Sequence, residues 1–169
     1  MARIVDSFIP ELEQEGQTTR RVLERVPEDK LSWKPHTKSM SLGQLSLHVA
    51  TIPGAIAKFL AADSFDFGQF DAAKPPSAET KADLIRSFEE SLKSAKEALN
   101  GYDDAKAMAI WSGTKGGKTL LSIPRIAAVR ALMLNHWFHH RGQLSVYLRL
   151  LNVPVPSIYG PSADENPFA

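Results

Sequence analysis

The sequence predicts an all-α fold: a four-helix bundle with a long crossover between helices two and three and a short β-hairpin before helix four. Three observations predict it. Four segments carry apolar residues at helical spacing. A turn-rich connection separates the second segment from the third, as a bundle requires when consecutive helices are not antiparallel neighbours. Two short β-prone runs flank a Gly/Lys turn ahead of the fourth. At 169 residues the chain reads as one domain, 1–169, long enough to bury a sizeable core.

The first predicted helix places Ile4, Val5, Phe8, Leu12, Thr19, Leu23 and Val26 on one stripe. Pro10 fits its first turn if Ser7 is the cap, and kinks it otherwise. The second starts at Ser41, where Ser41 and Gln44 have capping-box spacing, and continues through Leu45, His48, Ile52, Ala55, Phe59 and Leu60. The connection "DSFDFGQFDAAKPPS" follows. The third starts near Ser77, carries Leu84, Phe88, Leu92, Ala95 and Leu99, and stops at Asn100-Gly101. The stretch "MAIWSGTKGGKTLLS" supplies the hairpin. The fourth runs from about Ile123 to Leu151 with Pro124 in its first turn. The tail, 152–169, holds too many prolines for regular structure and is expected to pack on the bundle.

Composition removes several function classes. A net charge of +1 gives no electrostatic reason for a nucleic-acid partner. With no cysteine, disulfides, thiolate metal ligands and a protein-borne thiol nucleophile are excluded. No apolar run approaches the roughly 20 residues that span a bilayer, and "MARIVDSFIPELEQ" lacks a signal-peptide core. The expectation is a cytoplasmic protein with no membrane partner. "SGTKGGKT" resembles the end of a phosphate-binding loop, but that motif needs glycine where Ser112 stands.

Three of the five histidines fall in "NHWFHHRGQL", residues 135–144. On a helical wheel, Val129, Leu132, His140, Gln143 and Tyr147 lie within about 40° of His136. His136 and His140 thus share the apolar stripe one turn apart. His139 sits on its shoulder, while Phe138 and Arg141 point away. His48 lies in the apolar stripe of the second helix. Buried imidazoles with separate hydrogen-bond partners are one reading. The other is a common partner, because each unpartnered buried polar group costs roughly 1–3 kcal/mol. A divalent metal supplies that partner, since an i, i+4 histidine pair can converge on one ion.

"SLGQLSLHVA", taken with "NHWFHHRGQLSVYLRLLNVPVPSIYGPSADE", resembles the DinB/YfiT-like superfamily of proposed metalloenzymes, which is unrelated to the translesion polymerase sharing the name. The likeness spans nearly the whole chain, including "LSWKP" and the tail. It implies a four-helix bundle with an unusual crossover and one nickel or zinc ion on three histidines. By position these are His48, His136 and His140. Relatives include thiol-dependent transferases and isomerases, so the resemblance implies a site without naming a reaction.

Around that site, Gln143 is a candidate for orienting water or substrate, or else hydrogen-bonds within the bundle. Gln44 is explained by its cap. His139 reads as a supporting residue, and Tyr147 and Tyr159 as possible pocket residues. Trp33, Trp111 and Trp137 read as packing, and His36 as exposed loop. Arg130 and Arg141 are expected to bridge to Glu11, Glu13 or Glu15, or to meet an anionic substrate. Trp137 and Phe138 are candidates for a homodimer interface.

The expected chemistry rests on missing carboxylates. No Asp or Glu occurs from Ser122 to Asn152 or from Ser41 to Ala62. A zincin-type hydrolase needs a glutamate beside its ligands; a low-molecular-weight thiol acting as cosubstrate does not. The expectation is metal-dependent thiol transfer to a small electrophile. The alternatives are a metal-dependent hydrolase and a non-catalytic, stress-related metal-binding protein.

Overall fold

Helix starts follow local hydrogen-bond chemistry, and the computed structural model, which describes residues 2–70 and 74–168, shows where each signal acts. A 3-10 turn, Ile4–Ser7, leads into α1, Phe8–Glu24, with Pro10 in its first turn. α2, Leu42–Phe59, opens on the predicted capping box: Gln44 N donates to Ser41 Oγ at 3.2 Å, and Ser41 N donates to Gln44 Oε1 at 2.9 Å. α3, Lys81–Asn100, starts later than Ser77, because Thr80 is the cap; Asp83 N donates to its Oγ1 at 3.0 Å. The Ser77 hydroxyl instead donates to the Ala78 carbonyl.

The structure is mostly helical, with a small sheet that is larger than the expected hairpin. β2, Ile110–Lys115, and β3, Lys118–Pro124, pair antiparallel around Gly116 and Gly117, whose φ values of 55° and 76° require glycine. The connection after α2 adds a third strand, β1, Ser64–Asp66, parallel to β2 with Phe65 opposite Gly113. A 3-10 turn, Phe67–Phe70, follows; residues 71–73 of the connection lie outside the described residues. A short helix before β2, α4 (Asp104–Met108), was not expected, because five residues are too few for a periodicity signal.

Pro124 closes β3 rather than entering the last helix, since Ile110 pairs with it. That helix is continuous in three parts: α5, Arg125–Ala128, a π-helical segment, Val129–Asn135, and α6, His136–Leu150. Its buried face differs from the expected one. Trp137, Arg141, Leu144 and Leu148 are the buried residues of α6, whereas His136, His140 and Tyr147 lie half-buried at the edge and Gln143 is exposed. Arg141, expected to point away, is 1% exposed because Glu15 Oε2 pairs with it at 2.6 Å and Thr19 Oγ1 accepts from it at 3.1 Å.

α1, α2, α3 and α6 pack around a common core that includes Leu12, Leu23, Val49, Leu84, Phe88 and Leu144. At Gly54 a Cβ would lie 2.9 Å from Ser91 Cα, so the glycine lets α2 and α3 approach closely. The C-terminus of α2 is held by other elements. Leu60 O accepts from Arg125 Nε at 2.9 Å and from Tyr102 OH at 3.3 Å, and Phe59 O accepts from Trp111 Nε1 at 3.3 Å. The tail crosses α1 and α6 through the ion pairs Arg21–Glu165 and Arg149–Asp164. Among the described residues, no helix is long and apolar enough to cross a membrane.

Candidate metal centre

A proline positions the site. Pro53 lies inside α2 and has no N–H to give the Val49 carbonyl one turn earlier. Trp137 Nε1 takes that place, donating to Val49 O at 2.8 Å. The residues next to these two are His48 and His136. The indole therefore sets the distance between α2 and α6 where the histidines meet.

His48 Nε2 lies 3.4 Å from His136 Nε2, which lies 2.8 Å from His140 Nε2. One ligand atom from each residue falls within 4.8 Å of the others. The outer nitrogens of His140 and His136 are engaged elsewhere. His140 Nδ1 donates to Gln143 Oε1 at 2.8 Å, and a hydrogen bond to the Leu132 backbone acts on His136. Because His136 Nε2 faces the cluster, Nδ1 is the atom left to donate. Both Nε2 atoms then present lone pairs at 2.8 Å, which repel unless a cation or proton lies between them. Tetrahedral zinc, with Zn–N near 2.0–2.1 Å, would separate ligand nitrogens by about 3.3 Å. Two of the three separations, 3.4 and 2.8 Å, lie near that value and all three fall within 4.8 Å, so the three residues could hold a metal ion.

Electrostatics favour the neutral, ligating form. Burial, then the neighbouring His140 and His136, pushes the His48 pKa down to about 4. Burial followed by His140 lowers that of His136. Burial also lowers that of His140, against the Gln143 hydrogen bond.

The cluster adjoins a cavity of about 510 Å3. Its walls include Phe67 and Phe70 from the connection and Trp111 from β2, residues that sequence periodicity did not connect with the histidines. The available signal was the aromatic spacing of "FDFGQF" within a segment rich in turn formers.

The other candidates do not join the Nε2 cluster. His139 is exposed, its ring 4.9 Å from that of His140, and His36 is an exposed loop residue. Gln143 faces His140 Nδ1, away from the Nε2 cluster. Tyr147 OH donates to Met40 O at 3.3 Å, and Tyr159 OH donates to Glu15 Oε2 at 3.1 Å. Arg130 grips Glu11 through two 2.6 Å hydrogen bonds and Arg141 pairs with Glu15, so the expected bridges to α1 form. Of the aromatics expected at a homodimer interface, Trp137 is fully buried, and Phe138 is half-buried and meets Tyr159 edge-on.

A family model described as the DinB family matches residues 1–167. The uncharacterized protein YrdA of Bacillus subtilis is 24% identical over 169 residues, covering 98% of this chain and 93% of that protein. The crystal structure of a DinB-like protein from Bacillus cereus superposes with a TM-score of 0.72 at 20% identity, covering 94% of this chain and 100% of that one. That of the DinB-like protein YjoA from Bacillus subtilis gives 0.66 at 20% identity, covering 87% and 93%.

Proposed function

The chain belongs to the DinB family, and from that premise we propose that it is a divalent-metal-dependent enzyme transferring a low-molecular-weight thiol to a small electrophile. The observation that carries the metal is the convergence of three Nε2 atoms whose rings donate outward at His136 and His140. His48, His136 and His140 would hold Ni2+ or Zn2+, since imidazole suits both. A divalent ion there supplies Lewis acidity and lowers the pKa of a thiol or water that reaches it. In the same reading, α1, α2, α3 and the helix 125–150 form a four-helix bundle, one domain with the tail packed on it.

The preference for a thiol over water comes from the carboxylates. Among the described residues, no Asp or Glu lines the cavity or joins the cluster. Glu11, Glu13, Glu15 and Glu89 pair with Arg130, Lys96, Arg141 and Arg20. Among the described residues, no carboxylate stands ready as a general base for hydrolysis. The chain has no cysteine, so the thiol arrives as cosubstrate. Its S–H proton passes to solvent as the sulfur–carbon bond forms, and the leaving group departs with its electron pair. The arginines of the last helix do not recruit this thiol, because Arg125, Arg130, Arg141 and Arg149 are all paired.

The test is to incubate metal-loaded protein with glutathione-type thiols and an electrophile panel, then with esters and amides. Turnover that needs both metal and thiol is expected. Metal-dependent hydrolysis without thiol would replace the proposal by the hydrolase. Inactivity in both arms, with metal bound, would leave a non-catalytic metal-binding protein.

Gln143 acts in this scheme as a positioning residue that fixes the His140 tautomer. Gln143→Leu is expected to weaken zinc binding about 10–100-fold in a chelator competition. Gln143→Glu, which still accepts from Nδ1, should retain most of the affinity.

The pH dependence has a definite sign. Protons compete with metal, but the lowered pKa values keep the imidazoles neutral below the ordinary 6.5. Metal should therefore be retained at pH 6.5 and released as pH falls toward 4. Without metal, the unfolded chain takes up protons first, so thermal stability should fall over the same window. Metal content and melting temperature measured from pH 7.5 to 4 check both statements. Release complete by pH 6.5 would contradict them.

A further inference from the structure

The cavity beside the cluster is walled largely by Ile52, Ile56, Phe59, Phe67, Phe70 and Trp111, and among the described residues no Asp, Glu, Lys or Arg lines it. Its few polar atoms outside the histidines are engaged. The Thr51 hydroxyl donates to Leu47 O at 2.8 Å, and the Trp111 indole donates to Phe59 O at 3.3 Å. A charged group entering here loses hydration and meets no compensating charge among the described residues. Among the described lining residues, an occupant finds ligating nitrogens at the imidazole end, where the Thr51 oxygen, one turn from His48, can still accept a hydrogen bond.

The aromatic wall is braced by ring contacts, one of them with Phe65, which does not itself line the cavity. Phe59 and Phe65 stack with ring centroids 4.0 Å apart, and Phe67 meets Trp111 edge-on at 6.3 Å. Gly113 of β2 makes this wall possible, since a Cβ there would lie 2.5 Å from the Phe67 ring. Any side chain at position 113 would displace that ring. The volume, about 510 Å3, falls in the ordinary range for small-molecule sites.

We propose that this cavity is the electrophile subsite and selects an uncharged aromatic molecule, oriented with its one polar or reactive group at the histidines. The assignment of the electrophile rests on the thiol-transfer reading, whereas the selectivity of the cavity rests on its walls alone. Two probes of one ring system test it, 2-naphthol and 6-hydroxynaphthalene-2-sulfonate, titrated calorimetrically against metal-free and zinc-loaded protein at pH 7.5. The neutral probe is expected to bind at least about tenfold more tightly than the sulfonate in both forms. Ala55→Phe, which fills the cavity, should weaken 2-naphthol at least about tenfold. Phe70→Ala, at a position 50% exposed, should weaken it about threefold. Zinc affinity should stay within about twofold in both variants, because neither touches the imidazole nitrogens. A sulfonate that binds as tightly as 2-naphthol would overturn the proposal, as would naphthol binding indifferent to both substitutions. Failure of the unsubstituted protein to bind zinc would instead remove the metal reading, while naphthol selectivity in the metal-free form would still stand.

Discussion

His136→Ala is expected to abolish metal binding while leaving the fold intact. His136 is the middle member of the cluster, 3.4 Å from His48 on α2 and 2.8 Å from His140 one turn along α6. Without it two imidazoles remain, His48 and His140, with ring centroids 4.5 Å apart but one ligand too few. A loss of affinity of at least about 100-fold follows, since removing even a supporting partner of a ligand costs 10–100-fold. The fold should survive because His136 is half-buried at a cavity edge, and its removal relieves an imidazole that burial disfavours when charged. Elemental analysis after zinc loading, alongside a melting curve, is the measurement. About one equivalent is expected in the unsubstituted protein and almost none in the variant. Equal metal in both would show that the ion is held elsewhere.

Trp137→Phe is expected to cost about 3 kcal/mol. The indole N–H satisfies the Val49 carbonyl that Pro53 leaves open, and phenylalanine orphans it, at about 1–3 kcal/mol. The smaller ring also leaves a void beside Phe88. For a chain of this length the melting temperature should fall by about 6–12 °C. A second substitution identifies the cause. Pro53→Ala restores a backbone N–H one turn from Val49, so it should rescue the Trp137→Phe variant by more than it changes the unsubstituted protein. The coupling is expected to be about 1 kcal/mol in a double-mutant cycle. Strict additivity would mean that the indole contributes only its bulk.

What the sequence made legible follows from whether the signal was local. The capping box at Ser41 and Gln44 and the hairpin turn at Gly116-Gly117 are short-range chemistry, and both stand. The pairing of Arg130 and Arg141 with α1 was also legible, because acids and bases faced one another across predicted helices. The wheel for the last helix failed for a physical reason. It counted arginine as an outside residue, whereas Glu15 and Thr19 carry Arg141 into the buried face. The histidines consequently line a cavity edge instead of the middle of the stripe. That edge position leaves the cluster open to an occupant. β1 was invisible because three residues in a turn-rich connection become a strand only by pairing with β2, a contact that no local pattern encodes.

The π-helical stretch ahead of His136 bears on how this chain tolerates changes of length. A π turn holds more residues than an α turn. On one side of it Arg125 is fixed to the end of α2, and on the other Trp137 is fixed to Val49. Removing one residue from 129–135 lets the stretch tighten toward α geometry with both anchors still seated. Between His136 and His140 there is no such slack, because losing one residue swings one imidazole by about 100° around the helix. Length is negotiable before the first histidine of α6, and fixed between the two.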